Sequence, residues 1–195
     1  RNWSSYGFGS VLIFLVFGTV LTLVLQSSSA TMAITLIMLS MGWIPFHMAC
    51  AMVLGENIGT TITANIAAAV GNTQAKRAAM SHTIFNVFGV IWALILFKPF
   101  TALVGKVIEL FGLPNPAAEG FAVVEGDMGS STAALYGLSM LHTMFNTIYT
   151  LILAEPWKPD CKDYKPLNVY GQTKLEGELA VSGTLEKYFI VRIAW

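Results

Sequence analysis

The sequence predicts an all-α membrane protein, with a re-entrant helical hairpin, about three spanning helices and then a short soluble helix–strand fragment. Three observations predict it. The 195 residues are 55% hydrophobic and only 11% charged, about half the charge of an ordinary soluble domain. That charge is unevenly spread: positions 1–154 hold ten charged residues (Arg1, Glu56, Lys76, Arg77, Lys98, Lys106, Glu109, Glu119, Glu125, Asp127), and the last 41 positions hold twelve. Finally, two polar clusters interrupt sequence otherwise apolar enough to enter a bilayer. They are Gln26-Ser27-Ser28-Ser29-Ala30 and Gly55-Glu56-Asn57-Ile58-Gly59-Thr60-Thr61-Ile62-Thr63. A net charge of zero gives no global pull toward nucleic acid, and none is expected as a partner.

Residues 8–25 form eighteen uncharged positions, long enough to span at about 1.5 Å per residue. Trp3 and Tyr6 in front of them suit an interfacial aromatic belt. Residues 31–41 are too few to cross about 30 Å of hydrocarbon and read as one arm of a re-entrant hairpin. Gly42-Trp43-Ile44-Pro45 is its turn, residues 46–54 its returning arm, and Gly55 and Gly59 interrupt the chain before an Ala-rich helix over residues 60–70. Gly71-Asn72-Thr73-Gln74-Ala75-Lys76-Arg77 reads as a polar loop whose two cations favour the cytoplasmic side. Residues 78–97 and 133–154 are the second and third spans. Between them, residues 101–113 read as an interfacial amphipathic helix and 114–131 as a Pro/Gly/acid-rich loop.

The two later spans share a pattern, His82-Thr83-Ile84-Phe85-Asn86 and His142-Thr143-Met144-Phe145-Asn146. His and Asn four apart lie on one helix face, which suits either hydrogen bonds that glue the bundle or ion and proton handling. Trp43 and Trp92 read as packing and interface residues. Cys50 and Cys161 permit a disulfide on count alone, and neither context suggests one. The opening Arg1-Asn2-Trp3 lacks a signal-peptide pattern and reads as the interior of a longer chain.

A polar group in hydrocarbon costs several kcal/mol unless it is satisfied, so the two clusters need partners, either protein or a bound solute. A Gln-Ser-Ser-Ser break at the start of a half-helix aims N–H groups and hydroxyls at an anion, aided by the helix dipole. The same hydroxyls and freed carbonyls would suit Na⁺, with Ser28, Ser29, Asn57 and Thr60 as candidate ligands. Neither cluster contains Lys or Arg, so an anion would be held by neutral donors and co-bound cations, as in a symporter. Packing of Ser and Thr between helices is the plainer alternative. Glu56 either supplies negative charge to a cation site or sits in water at the hairpin mouth.

These motifs resemble the sodium-dependent phosphate cotransporter family (type II, with its bacterial relatives), over about residues 5–154. Its two inverted repeats each carry a Gln-Ser-Ser signature and a Gly-x-Asn-(Ile/Leu)-Gly-(Thr/Ser) signature. Gln26 to Ser29, Gly55 to Thr61 with Thr63, and the run from Lys76 to Asn86 match the second repeat in order and spacing. The resemblance implies one half of an inverted-repeat transporter, integral and multi-pass in the plasma (inner) membrane, moving inorganic phosphate with Na⁺ as coupling ion and no other cofactor. Gln26, Ser27, Ser28 and Ser29 would contribute to the phosphate and sodium sites, with Asn57, Thr60 and Thr61 lining the same cavity beside Glu56, a position often small in the family. Only one repeat is expected here, so a second repeat or a homodimer would complete the site, within a lipid bilayer.

From about residue 155 the sequence resembles a fragment of dTDP-4-dehydrorhamnose reductase, an extended short-chain dehydrogenase. Pro166-Leu167-Asn168-Val169-Tyr170-Gly171, Lys174-Leu175-Glu176-Gly177-Glu178 and Tyr188-Phe189-Ile190-Val191-Arg192 carry that likeness. It implies a Tyr170/Lys174 pair in which Lys lowers the phenol's pKa and holds a nicotinamide ribose. No Gly-rich dinucleotide fingerprint accompanies the pair, so Tyr170 and Lys174 are expected to be inert. The chain thus reads as a chimera joined near Ala154, a membrane repeat followed by a truncated reductase-like tail that is not an independent domain. The rivals to transport are NADPH-dependent reduction of dTDP-4-dehydrorhamnose by the tail, and a non-transporting membrane scaffold.

Overall fold

A computed structural model describes residues 7–124 and 126–153, of which 149–153 by backbone alone. Trp3, Tyr6, Cys161, the expected join near Ala154 and the tail with Tyr170 and Lys174 lie outside the described residues. Those described form six helices and no strand: α1 (Gly7–Leu25), α2 (Ser28–Ser40), α3 (Phe46–Ala69), α4 (Thr73–Ile95), α5 (Phe97–Leu110) and α6 (Met128–Leu153).

The first span falls where the sequence puts it. Val11, Leu15, Gly18 and Thr22 are buried, a stripe at helical spacing that packs on α3. The rest of α1 turns outward: Ile13, Val16 and Val24 are more than half exposed. So do Ile84, Phe88 and Ile95 of α4. Apolar faces of this extent are poorly suited to water and well suited to acyl chains. Both helices are long and apolar enough to cross a membrane.

Of the described helices, only these two meet that test, whereas the sequence leads one to expect about three spans. The third, α6, is long enough at 26 residues, but Ser139, His142, Thr143, Asn146 and Thr147 dilute its hydropathy. It packs inward, with Leu138, Leu141 and Phe145 fully buried and Trp92 of α4 stacked on Phe145 at 5.9 Å. Asp127 caps it, accepting from the backbone N–H groups of Gly129 (3.0 Å) and Ser130 (3.1 Å).

The helix–turn–helix of α2 and α3 follows from local chemistry. Gly42 takes a left-handed φ of 69°, which lets its N–H reach the Leu39 carbonyl at 3.0 Å and that of Trp43 reach Met38 at 2.9 Å. This paired closure ends α2, and Pro45, which lacks an N–H to leave unpaired, starts α3. Beyond that turn the chain departs from the break expected at Gly55 and Gly59. No break interrupts the chain at residues 55–63: α3 runs unbroken for 24 residues.

The glycines there serve a different purpose. A Cβ on Gly55 would meet the Leu15 carbonyl oxygen of α1, one on Gly18 the Met52 carbonyl oxygen, and one on Gly59 would come within 2.7 Å of Thr19 O. The two helices are therefore in backbone contact, the arrangement that small residues permit in membranes. Between Met48 and Glu56 every residue of α3 is buried, which makes α3 the central element, packed by α1, α2, α4 and α6.

Two further boundaries move. The polar loop expected over residues 71–77 shortens, because Asn72 Oδ1 accepts from Ala75 N at 2.9 Å and starts α4 at Thr73, with Lys76 and Arg77 in its early turns. The amphipathic helix begins at Phe97 rather than Thr101, since Pro99 is tolerated in a first turn. It buries Phe97, Phe100, Val104 and Ile108 and exposes Lys98, Lys106 and Glu109.

Candidate functional site

Between α1 and α2 the chain reverses at Gln26, which adopts a φ of 52°, the left-handed region, alone among the described non-glycine residues. Ser27 then caps α2, its Oγ accepting from Ala30 N at 3.3 Å and its carbonyl from the N–H (3.1 Å) and hydroxyl (3.1 Å) of Thr31. The hydroxyls of Ser27 and Ser29 lie 3.1 Å apart. Gln26, Ser28 and Ser29 are exposed. The first N–H groups of a helix have no partner within it and carry its positive end, so this corner offers hydroxyls and amide donors together.

One turn into the bundle lies a buried polar seam. Thr22 of α1 and Thr31 of α2 are hydroxyl to hydroxyl at 3.2 Å. Thr35, one turn further along α2, has its Oγ1 at 2.9 Å from the Thr31 carbonyl oxygen and 3.0 Å from Glu56 Oε1 of α3. Thr22, Thr31 and Thr35 are at most 1% exposed and Glu56 is 3% exposed. Glu56 is thus buried, with the Thr35 hydroxyl against its carboxyl, and does not sit in water at the hairpin mouth.

The rest of the second cluster is satisfied within α3. Asn57 Nδ2 donates to Val53 O (3.0 Å), Thr60 to Glu56 O (2.8 Å), Thr61 to Ile58 O (2.7 Å) and Thr63 to Thr60 O (2.8 Å). Among the described residues no hydrogen bond joins Ser28 or Ser29 to Asn57 or Thr60. Two contacts of the cluster cross to other helices: Glu56 with Thr35 of α2, and the Gly55 carbonyl, which accepts from Thr19 Oγ1 of α1 at 3.0 Å. Two cavities, of about 440 and 470 Å³, open at the opposite end of α2 around Ser40, against the start of α6. None of the predicted site residues lines either.

The repeated His-Thr-x-Phe-Asn pattern lies on α4 and α6. Asn86 and Asn146 donate to the carbonyls of His82 and His142 on their own helices. In the first copy the interhelical contact is made by Thr83, whose hydroxyl oxygen accepts from Asn65 Nδ2 of α3.

Comparison with known proteins decides the family. The Na⁺/Pi-cotransporter family model matches residues 6–115, more than half of the chain, and takes in both polar clusters. The chain belongs to the Na⁺/Pi-cotransporter family. Among its relatives, it is 36% identical over 155 residues to the uncharacterized protein YqeW of Bacillus subtilis, covering 79% of this chain and 45% of YqeW. It is 33% identical over 102 residues to sodium-dependent phosphate transport protein 2A of Rattus norvegicus, covering 51% of this chain and 16% of that protein. To sodium-dependent phosphate transport protein 2C of Homo sapiens it is 34% identical over 111 residues, 55% of this chain and 16% of the relative. The chain therefore spans less than half the length of each. No solved structure matches it.

A second family model, the RmlD substrate binding domain, matches residues 130–195. That similarity reaches back through α6, well before the junction expected near residue 154. Within the Na⁺/Pi-cotransporter segment, Thr22, Thr31 and Thr35 are the seam residues that sequence reasoning passed over. Their signal was visible: Thr31 and Thr35 stand four apart on a short helix, and Thr19 and Thr22 three apart on α1, each pair on one face.

Proposed function

We propose that this member of the Na⁺/Pi-cotransporter family binds inorganic phosphate at the corner between α1 and α2 and carries it across the plasma (inner) membrane coupled to sodium. The observation that carries the reading is the corner itself. Gln26 is held in a conformation that costs a non-glycine residue about 1 kcal/mol or more, and the strain places Ser27, Ser28 and Ser29 at the positive end of α2. Ser28 and Ser29 supply hydroxyl and backbone N–H donors to the anion, and Ser27 fixes the cap. Sodium compensates the anion's charge, since no Lys or Arg stands in the cluster.

Asn57, Thr60 and Thr61 serve the same path from α3, with Glu56 as its buried ionisable group. Their side chains donate to their own helix, which leaves oxygen lone pairs available to a cation. A second, inverted repeat, from another segment or another copy, supplies the opposite wall, and alternating access follows from the two rocking against each other. The names of the relatives from Rattus norvegicus and Homo sapiens support phosphate as the substrate and sodium as its companion.

The reductase-like match at residues 130–195 favours a second reading, nucleotide-sugar reduction through Tyr170 and Lys174. Lacking a Gly-rich dinucleotide fingerprint beside it, that segment is proposed to be a passenger and not an enzyme.

The test is binding of radiolabelled phosphate to the purified chain in lipid nanodiscs, with sodium or choline as the cation. The reading predicts binding in sodium that Ser28→Ala weakens about tenfold, the loss of one charge-assisted hydrogen bond. Equal binding in choline, or none in either, would overturn it.

A further inference from the structure

The two cavities at the far end of α2 adjoin. One, of about 440 Å³, sits at the turn toward α3 and the start of α6; the other, of about 470 Å³, lies between the facing sides of α2 and α6. Ser40 lines both, so together they make one groove. Its wall on α6 is Met128, Ser131, Thr132, Leu135, Tyr136 and Ser139, a stripe at three- and four-residue spacing. From the first of these to the last an α-helix rises about 16 Å, close to half of a hydrocarbon core about 30 Å thick. The groove is one leaflet deep.

It opens at the level where the first span begins. Gly55 of α3 meets Leu15 of α1, and Gly59 meets Thr19 and Thr22, so α1 and α3 run parallel. The turn ahead of α3 therefore lies beside the start of α1, and Trp43, 63% exposed there, sits where indole side chains collect at a bilayer surface. Asp127 lines the same end. Its carboxylate is exposed, and each oxygen accepts one backbone N–H, which leaves lone pairs for a further donor. No Lys or Arg lines either cavity, so that end is negative. Deeper, Leu36, Ile37 and Leu135 make the lining apolar. Between the two ends, the hydroxyls of Ser131 and Thr132 have no hydrogen-bond partner among the described residues.

We propose that this groove seats one phospholipid whose zwitterionic headgroup carries an amine. The ammonium lies between the Asp127 carboxylate and the Trp43 ring, where ionic attraction and cation–π contact act together. The phosphate and ester oxygens accept from Ser131 and Thr132, and an acyl chain runs down the groove past Ile37 and Leu135. An anionic headgroup without an amine brings no cation and meets like charge at Asp127, so it is disfavoured. A second copy of the chain is the rival occupant. Docked by the same face, it would set one Asp127 carboxylate near the other with no basic residue of the groove to separate them. Phosphate transport plays no part in the lipid's binding; only a bilayer is required.

Native mass spectrometry tests it on the full chain, released from vesicles of phosphatidylethanolamine and phosphatidylglycerol in equal parts. Wild type is expected to retain one phosphatidylethanolamine about fivefold more often than one phosphatidylglycerol. Asp127→Asn keeps a side-chain oxygen for the helix cap but loses the charge, and is expected to bring that ratio to about one. Trp43→Leu, at an exposed position, keeps an apolar side chain without the ring and is expected to lower the ratio as well. Ile37→Trp, at a position 52% exposed, fills the apolar end and is expected to reduce retention of both lipids. Equal retention of the two lipids by wild type, or more of the anionic one, would overturn the proposal. So would a ratio that Asp127→Asn and Trp43→Leu leave unchanged, undiminished retention by Ile37→Trp, or a dimer that carries no lipid.

Discussion

Gly55 on α3 stands directly against the carbonyl oxygen of Leu15 on α1, with no room between them for a Cβ. That approach determines the rest of the bundle, because it brings the Thr22 hydroxyl of α1 to the seam that α2 and α3 complete. Gly55→Ala is expected to force the two helices apart and to cost about 1–3 kcal/mol, the usual range for overpacking. Denaturant titration in mixed micelles would register this as an earlier midpoint. An unchanged midpoint would mean that the contact between α1 and α3 is looser than described.

Thr35→Val tests the seam itself. The substitution keeps the shape of the side chain but takes away the partner of a group that is 3% exposed. An unsatisfied buried group of this kind costs about 1–3 kcal/mol. The same titration should show that loss, and Thr35→Ser should restore most of it. If valine and serine behave alike, the Thr35–Glu56 hydrogen bond contributes nothing.

At the corner, stability and function are expected to pull in opposite directions. Gln26→Gly relieves a left-handed non-glycine residue and should stabilise the chain by about 1 kcal/mol. If the strain is kept for the sake of the side chain, the same variant should bind phosphate more weakly. Ser27→Ala should lower stability by about 1 kcal/mol through the lost cap. A Gln26→Gly chain that is both more stable and equally good at binding would remove Gln26 from the site.

A pH-dependent contribution is expected at the start of α6. The Ser130 hydroxyl, with the backbone N–H groups of Gly129 and Ser130, holds the Asp127 carboxyl below the usual carboxylate range. A depressed folded value means that the cap stabilises above the unfolded value of about 3.9 and is lost as pH falls through the folded one. Asp127→Ala should therefore lower the unfolding temperature near pH 7 and make no difference below both values. A deficit that persists unchanged in acid would show that the carboxylate is not the cause.

Much of this architecture was legible because it follows from local chemistry. The eighteen uncharged residues of the first span, the turn at Gly42 and Pro45, and the outward Lys106 and Glu109 of α5 are all local signals. Gly55 and Gly59 misled for a physical reason: a glycine that breaks a helix and one that admits a neighbouring helix look alike in sequence. The seam was half legible. Glu56 stood out as a charge in apolar sequence, whereas Thr35, which bonds it, and Thr22 and Thr31 beside that are unremarkable until three helices bring them together. Gln26 and its serines were conspicuous, but the left-handed conformation at Gln26 is a property of the turn, visible only in the fold.

Coupling between the two solutes is the claim on which the account depends, and linkage makes it measurable. Titrating phosphate calorimetrically at low and high sodium, then sodium at low and high phosphate, gives two ratios of dissociation constants. If phosphate at the corner and sodium nearby compensate each other's charge, each tightens the other, and the two ratios are equal. Phosphate affinity that is indifferent to sodium would contradict the account.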